Sequence, residues 1–136
     1  MKVAELGEFG LIWHLARALA RETAATPATT PEHLLVGIGD DAAVWKPTVD
    51  TLAIATVDTL VEGVHFDLRT TTWRDLGWKA VAVNISDIAA MGGLPRYAVV
   101  ALSTTKDRAV EEIQDLYHGM AEAAKAYGAA IVGGDT

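Results

Sequence analysis

The chain has 136 residues, 51% of them hydrophobic and 21% charged, which suits one domain with a single buried core rather than a disordered segment. Its net charge of −7 argues against binding a nucleic-acid backbone, yet leaves room for one nucleotide held through divalent metals. Cysteine is absent, so disulfides, thiolate nucleophiles and zinc–thiolate sites are excluded.

The first residues carry Glu5 and Glu8 where a signal peptide needs an apolar run. No uncharged apolar stretch approaches the roughly 20 residues of a membrane span. The default reading is a cytoplasmic protein with neither membrane nor nucleic-acid partners.

Leu6, Phe9, Ile12, Leu15, Ala16 and Leu19 recur at helical spacing and predict an amphipathic helix over 8–21. Residues 23–31, rich in Thr, Ala and Pro, read as a surface loop. Short apolar runs predict strands over 34–38, 42–45 and 51–57, with turn residues at 47–50. The loop 58–69 leads to a second helix, which Thr72 and Asp75 open as a capping box with Asp in place of Glu. That helix runs to Met91, where Gly92, Gly93 and Pro95 stop it.

A strand over 97–102 follows. Asp107 is positioned to cap a third helix with the stripe Val110, Ile113, Leu116, Met120, Ala124 and Tyr127, and Gly128 ends it. The last strand covers 129–132, and Gly133-Gly134-Asp135-Thr136 reads as a closing loop. The order predicts a two-layer α+β domain, with about four strands in one sheet and helices on one face. A chain that stops in such a loop reads as the truncated front part, residues 1–136, of a longer protein.

Carboxylates fall at the ends of these elements: Asp40 and Asp41 after the first strand, Asp58 after the third, Asp135 after the last. Strand ends on one side of a sheet converge, so these acids can share a site, although Asp beside Gly also simply makes turns. Asp87 is different. It lies with Asn84 on a helix apolar almost all round, among Ile85, Ile88, Ala89 and Ala90, where a carboxylate is costly unless paired or metal-bound. Several carboxylates without cysteine point to a hard metal such as magnesium, which bridges one or two carboxylates to substrate phosphates. Thr56 adds a hydroxyl near Asp58.

Two motif checks are negative. No G-x-x-x-x-G-K-[ST] phosphate loop is present. The run from Gly37 to Ala42 matches a dinucleotide pattern, but Val44-Trp45-Lys46-Pro47 cannot open the required helix, and two acids in the loop would repel a pyrophosphate.

Five blocks occur in order: Glu8-Phe9-Gly10-Leu11-Ile12; Gly37-Ile38-Gly39-Asp40-Asp41-Ala42-Ala43-Val44; Asp58-Thr59-Leu60-Val61-Glu62-Gly63-Val64-His65-Phe66; residues 79–92 from Lys79 through Asn84 and Asp87 to Gly92; and Gly133-Gly134-Asp135-Thr136. Together they resemble the thiamine-monophosphate kinase family, within the wider aminoimidazole-ribonucleotide synthetase superfamily. The resemblance implies ATP-dependent phosphorylation of thiamine monophosphate with magnesium ions. It also implies a homodimer whose sheets pair across the two-fold axis into a barrel.

By position, Asp41, Asp58, Asp87 and Asp135 match the family's metal-binding acids, and Thr56 and Val57 match neighbouring metal contacts. His65 matches a substrate contact, Gly134 and Asp135 the nucleotide-binding loop, and Tyr117 an ATP contact. The family often has Thr where this chain has Val57, so only the Val57 carbonyl is left to reach a metal. The family's C-terminal domain, with further contacts, is absent.

The attacking group in such a reaction is a substrate phosphate, largely anionic because its second pKa is about 6, so no general base is expected. Each assignment has a plainer alternative. Without the resemblance His65 better suits a solvated loop; Tyr117 suits the helical stripe as well as a ligand, Trp13, Trp45, Trp73 and Trp78 suit core or dimer contacts, and Asp40 suits either a turn or an acid supporting the metal ligands. His14, His33 and His118 lie on surfaces by pattern and receive no role. Two rival functions stand beside the kinase: another ATP-using enzyme of the superfamily, which the His65 block disfavours, and a dimerising, nucleotide-binding domain with no catalysis of its own.

Overall fold

The computed structural model describes residues 2–23, 34–36, 38 and 44–136. Helix α1 spans Val3–Thr23 and breaks at Gly7, whose φ of 65° and ψ of −179° leave the helical region. Strands β1 (Leu34–Val36) and β2 (Val44–Trp45) pair antiparallel, Leu34 opposite Trp45 and Val36 opposite Val44. Helix α2 (Trp73–Ala90), strand β3 (Tyr97–Ala101), helix α3 (Val110–Ala126) and strand β4 (Ala130–Asp135) complete the order. β3 and β4 run parallel, joined by α3 as a crossover.

The α+β class with helices layered on a sheet is as expected. The single four-stranded sheet is not: the described strands form two separate pairs, β1–β2 and β3–β4. The third expected strand, 51–57, carries no strand pairing and lies exposed. Its alternating apolar residues suit a sheet edge, but no pairing neighbour for them is found among the described residues. The predicted loop at 24–31 lies outside the described residues.

Two further expectations are corrected. The N-cap of α3 is Ala109, not Asp107; the Glu112 carboxylate accepts from the Ala109 N–H at 3.2 Å, while Asp107 sits in the preceding turn, 3.7 Å from Lys2 Nζ. The closing residues Gly133, Gly134 and Asp135 are strand, not loop, and pair with Val99, Val100 and Ala101. Gly134 has a φ of 155°, and a Cβ there would run into the Val100 carbonyl, so this ladder closes only because the position is glycine.

α3 is the centre of the core. One cluster joins it to α1 through Leu11, Leu15, Leu19, Val110, Ile113 and Tyr117. A second joins it to α2 through Leu76, Val81, Leu116, Met120 and Ala124. Val100 and Ile131 of the β3–β4 pair pack against both clusters, which places all three helices on one face of that pair. α2 and α3 meet at two buried glycines: a Cβ on Gly77 would strike the Leu116 carbonyl, and one on Gly119 the Arg74 carbonyl. Arg74 and Glu122 then pair across the same crossing.

Thr72 caps α2 as expected, accepting from the Asp75 N–H at 3.1 Å. Its other end closes at Gly92, with φ 71°, while the Gly93 N–H donates to the Ile88 carbonyl at 2.9 Å.

Candidate functional site

The open side of the domain is built where the extended segment 51–59 passes the C-terminal end of α2. Ile54 reaches Gly93 closely enough that a Cβ there would meet its Cδ1, so the segment is held against the helix end. Two turns of chain chemistry then coincide: Thr56 Oγ1 donates to Asp87 Oδ2 at 3.1 Å. These residues are 31 apart in sequence, and both are exposed.

Asp87 is therefore not the buried carboxylate that its apolar neighbours suggest. The last turns of α2 are uncovered, with Ser86, Asp87, Ala89 and Ala90 all exposed. A helix apolar all round implies burial only if something covers every face, and no element among the described residues covers that one. Asn84 needs no partner from elsewhere either, because its Nδ2 donates to the Ala80 carbonyl one turn back at 3.0 Å.

Asp135 ends β4 opposite Ala101; its carbonyl accepts from the Leu102 N–H at 2.8 Å, and its side chain is exposed. Asp58 and Val57 are also exposed, Val57 at 86%. Among the described residues no group of three or more His, Cys, Asp or Glu side chains is gathered. Asp40 and Asp41 lie outside the described residues. The structure thus unites Thr56 with Asp87.

His65 is held in a tight turn. The His65 N–H donates to the Val61 carbonyl at 2.9 Å, and the Val61 N–H donates back to His65 Nδ1 at 3.0 Å. Accepting at Nδ1 puts the proton of the neutral ring on Nε2, which makes the exposed edge of the imidazole a donor. Lys79 of α2 secures the turn by donating from Nζ to the His65 carbonyl at 2.5 Å. Sequence reasoning did not single out Lys79; its presence in the same block as Asn84 and Asp87 was the available signal. Nearby, Asp67 is held below the usual carboxylate range by hydrogen bonds from the Arg69 side chain and backbone.

Tyr117 is placed in the core between α1 and α3, only 6% exposed, and burial pushes its phenol pKa up to about 12. It packs against Leu11, Leu15 and Ile113 in the core. Of the tryptophans, Trp73 packs against both core clusters, whereas Trp13, Trp45 and Trp78 stay partly exposed.

These features define a two-layer α+β domain that presents carboxylate, hydroxyl and imidazole groups along one uncovered side. Residues 39–136 match the model of the AIR synthase related protein, N-terminal domain, and the chain belongs to that family. The thiamine-monophosphate kinase of Bacillus subtilis (strain 168) is 50% identical over 101 residues, covering 74% of this chain and 31% of its own length. That of Aquifex aeolicus (strain VF5) is 37% identical over 135 residues, covering 99% and 39%.

Among solved structures, thiamine-monophosphate kinase from Stenotrophomonas maltophilia K279a superposes with a TM-score of 0.76 at 37% identity, over 90% of this chain and 36% of that one. AaThiL complexed with AMPPCP and TMP superposes with a TM-score of 0.57 at 35% identity, over 99% and 38%. The chain spans between 31% and 39% of the length of these relatives. The resemblance carried by the five sequence blocks is borne out.

Proposed function

We propose that this chain is the N-terminal, nucleotide- and magnesium-binding part of a cytoplasmic thiamine-monophosphate kinase. The reaction moves the γ-phosphoryl group of ATP onto the phosphate of thiamine monophosphate, giving thiamine diphosphate and ADP. The observation that carries this reading is the match, over nearly the whole chain, to a kinase solved with AMPPCP and TMP.

The donor set fits magnesium. Thr56 and Asp87 already converge as oxygen ligands at 3.1 Å, and magnesium needs only one or two carboxylates when phosphates and waters fill the rest of its shell. Asp41, Asp58 and Asp135, with the Val57 carbonyl, are the further oxygen donors. When bound, the metal neutralises phosphate charge during transfer. Around it the chain's own groups position substrate: His65 donates from Nε2 to the acceptor phosphate, and Gly134 and Asp135 at the end of β4 contact the nucleotide. Tyr117 is the proposed ATP contact on α3, and its burial in the core adds a packing role at the same position.

The uncovered apolar segment supports the homodimer. Val49, Leu52, Val57 and Val64 are 73–95% exposed, and a second copy's sheet edge would give 51–57 the pairing it lacks, building the barrel. For the 136-residue chain by itself we infer binding without turnover, because it spans only 31% to 39% of the length of the kinases it matches. Turnover tests the proposal: the whole enzyme should release ADP in proportion to thiamine monophosphate added with ATP and magnesium. Turnover instead with a ring-closure or amidine-forming substrate would replace it with the other superfamily chemistry.

A further inference from the structure

We propose that a basic groove between α1 and α3, away from the Thr56–Asp87 side, binds a small phosphate-type oxyanion. The groove has a volume of about 290 Å³ and is lined by His14, Arg17, Ala18, Gln114 and His118. His14 and Arg17 are three apart on α1, and Gln114 and His118 four apart on α3, so each helix turns two polar side chains to the same space. Ala18, 8% exposed, forms an apolar floor.

The lining contains no carboxylate, in a protein of net charge −7. Arg17 lies over Trp13, its guanidinium carbon 4.5 Å from the ring centroid, a contact that uses the face of the cation and none of its N–H donors. Among the described residues no carboxylate pairs with Arg17. Gln114 Nε2 lies 3.4 Å from His14 Nδ1, which directs the His14 proton to Nε2.

The surrounding acids are Glu111, within electrostatic reach of His14, and Glu122, whose carboxylate pairs with Arg74 and also lies within electrostatic reach of His118. An arginine beside two imidazoles disfavours a metal cation and favours an anion. The volume, just below the range of about 300–1,000 Å³ for small-molecule sites, leaves ample room for a phosphate group.

The test is an NMR titration of the protein with inorganic phosphate, and in a second arm with methyl phosphate, at constant ionic strength. The ring resonances of His14 and His118 should shift saturably in the inorganic arm; an equal response to methyl phosphate identifies the terminal phosphate of a larger ligand, and a weaker one free phosphate. Arg17→Gln should weaken binding about tenfold, as loss of a charge-assisted hydrogen bond does, and His118→Gln should weaken it as well. Lys125→Gln, which removes the same charge from the exposed end of α3, should change it less than twofold. No saturable shift in either arm, or equal losses in Arg17→Gln and Lys125→Gln variants of unchanged circular dichroism, would overturn the proposal.

Discussion

The two sides of this domain are built to different degrees of completion. On the helical side, α3 is locked between α1 and α2, with Ile113 and Ala123 wholly buried and glycines meeting backbone to backbone at the α2–α3 crossing. On the other side, residues 44–66 run past the end of α2 with Leu52 at 95% and Val57 at 86% exposure, and the polar groups of interest stand among them. The first side is finished by its own chain. The second exposes the surface that the proposed site and dimer would use, and its groups are consequently cheap to change for folding and expensive to change for binding.

Substitutions that separate folding from binding test that division. The largest effect is expected at the helix crossing: Gly119→Val must push α2 away from α3 and should destabilise the fold by about 3 kcal/mol or more. Urea unfolding would measure it, and a loss under about 1 kcal/mol would mean that the close approach is not needed.

Tyr117 gives a pH signature of the same side. Its folded pKa of about 12 lies above the ordinary 10, so the folded state holds the proton longer than the unfolded chain. Its contribution is complete below pH 10 and is lost as pH rises from about 10 to about 12, by up to about 3 kcal/mol. Thermal melts across that range should fall less steeply for Tyr117→Phe; parallel curves would show that the phenol is not held in the core.

On the open side the expected pattern reverses. Asp87→Asn should leave the melting temperature nearly unchanged, because the side chain is exposed, yet weaken magnesium-dependent nucleotide binding by about tenfold. Asp40→Asn should weaken it less. Equal losses would remove Asp87 from its proposed place among the ligands. Smallest for the fold is Leu52→Ser, expected within about 0.5 kcal/mol for a side chain in solvent. Sedimentation should nonetheless show weaker self-association, and an unchanged association constant would exclude this edge from the dimer.

The helices were legible because each carries its own evidence: a period of 3.6 along α3, a Thr72–Asp75 cap, a Gly92 stop. What the sequence hid was what depends on a partner or on backbone contact. Residues 51–57 have strand chemistry, but strand is a pairing, and no pairing partner for them is found among the described residues. The glycines at 77, 119 and 134 act through carbonyls of distant residues, which no local pattern records. The apolar flank of Asp87 suggests burial, yet among the described residues nothing covers it. The convergence of Thr56 and Asp87 was within reach of the sequence only as two residues on a shared candidate list; their hydrogen bond required the fold.

The central claim is that the acids of the open side hold nucleotide through magnesium. Calorimetric titration of the whole enzyme with AMPPCP, once with magnesium and once with EDTA, tests it most directly. The account predicts saturable binding with magnesium, loss of most of that affinity in EDTA, and a similar loss in Asp87→Asn even with the metal present. Equal affinity with and without magnesium would contradict it, and would leave Asp87 and Thr56 as a surface pair.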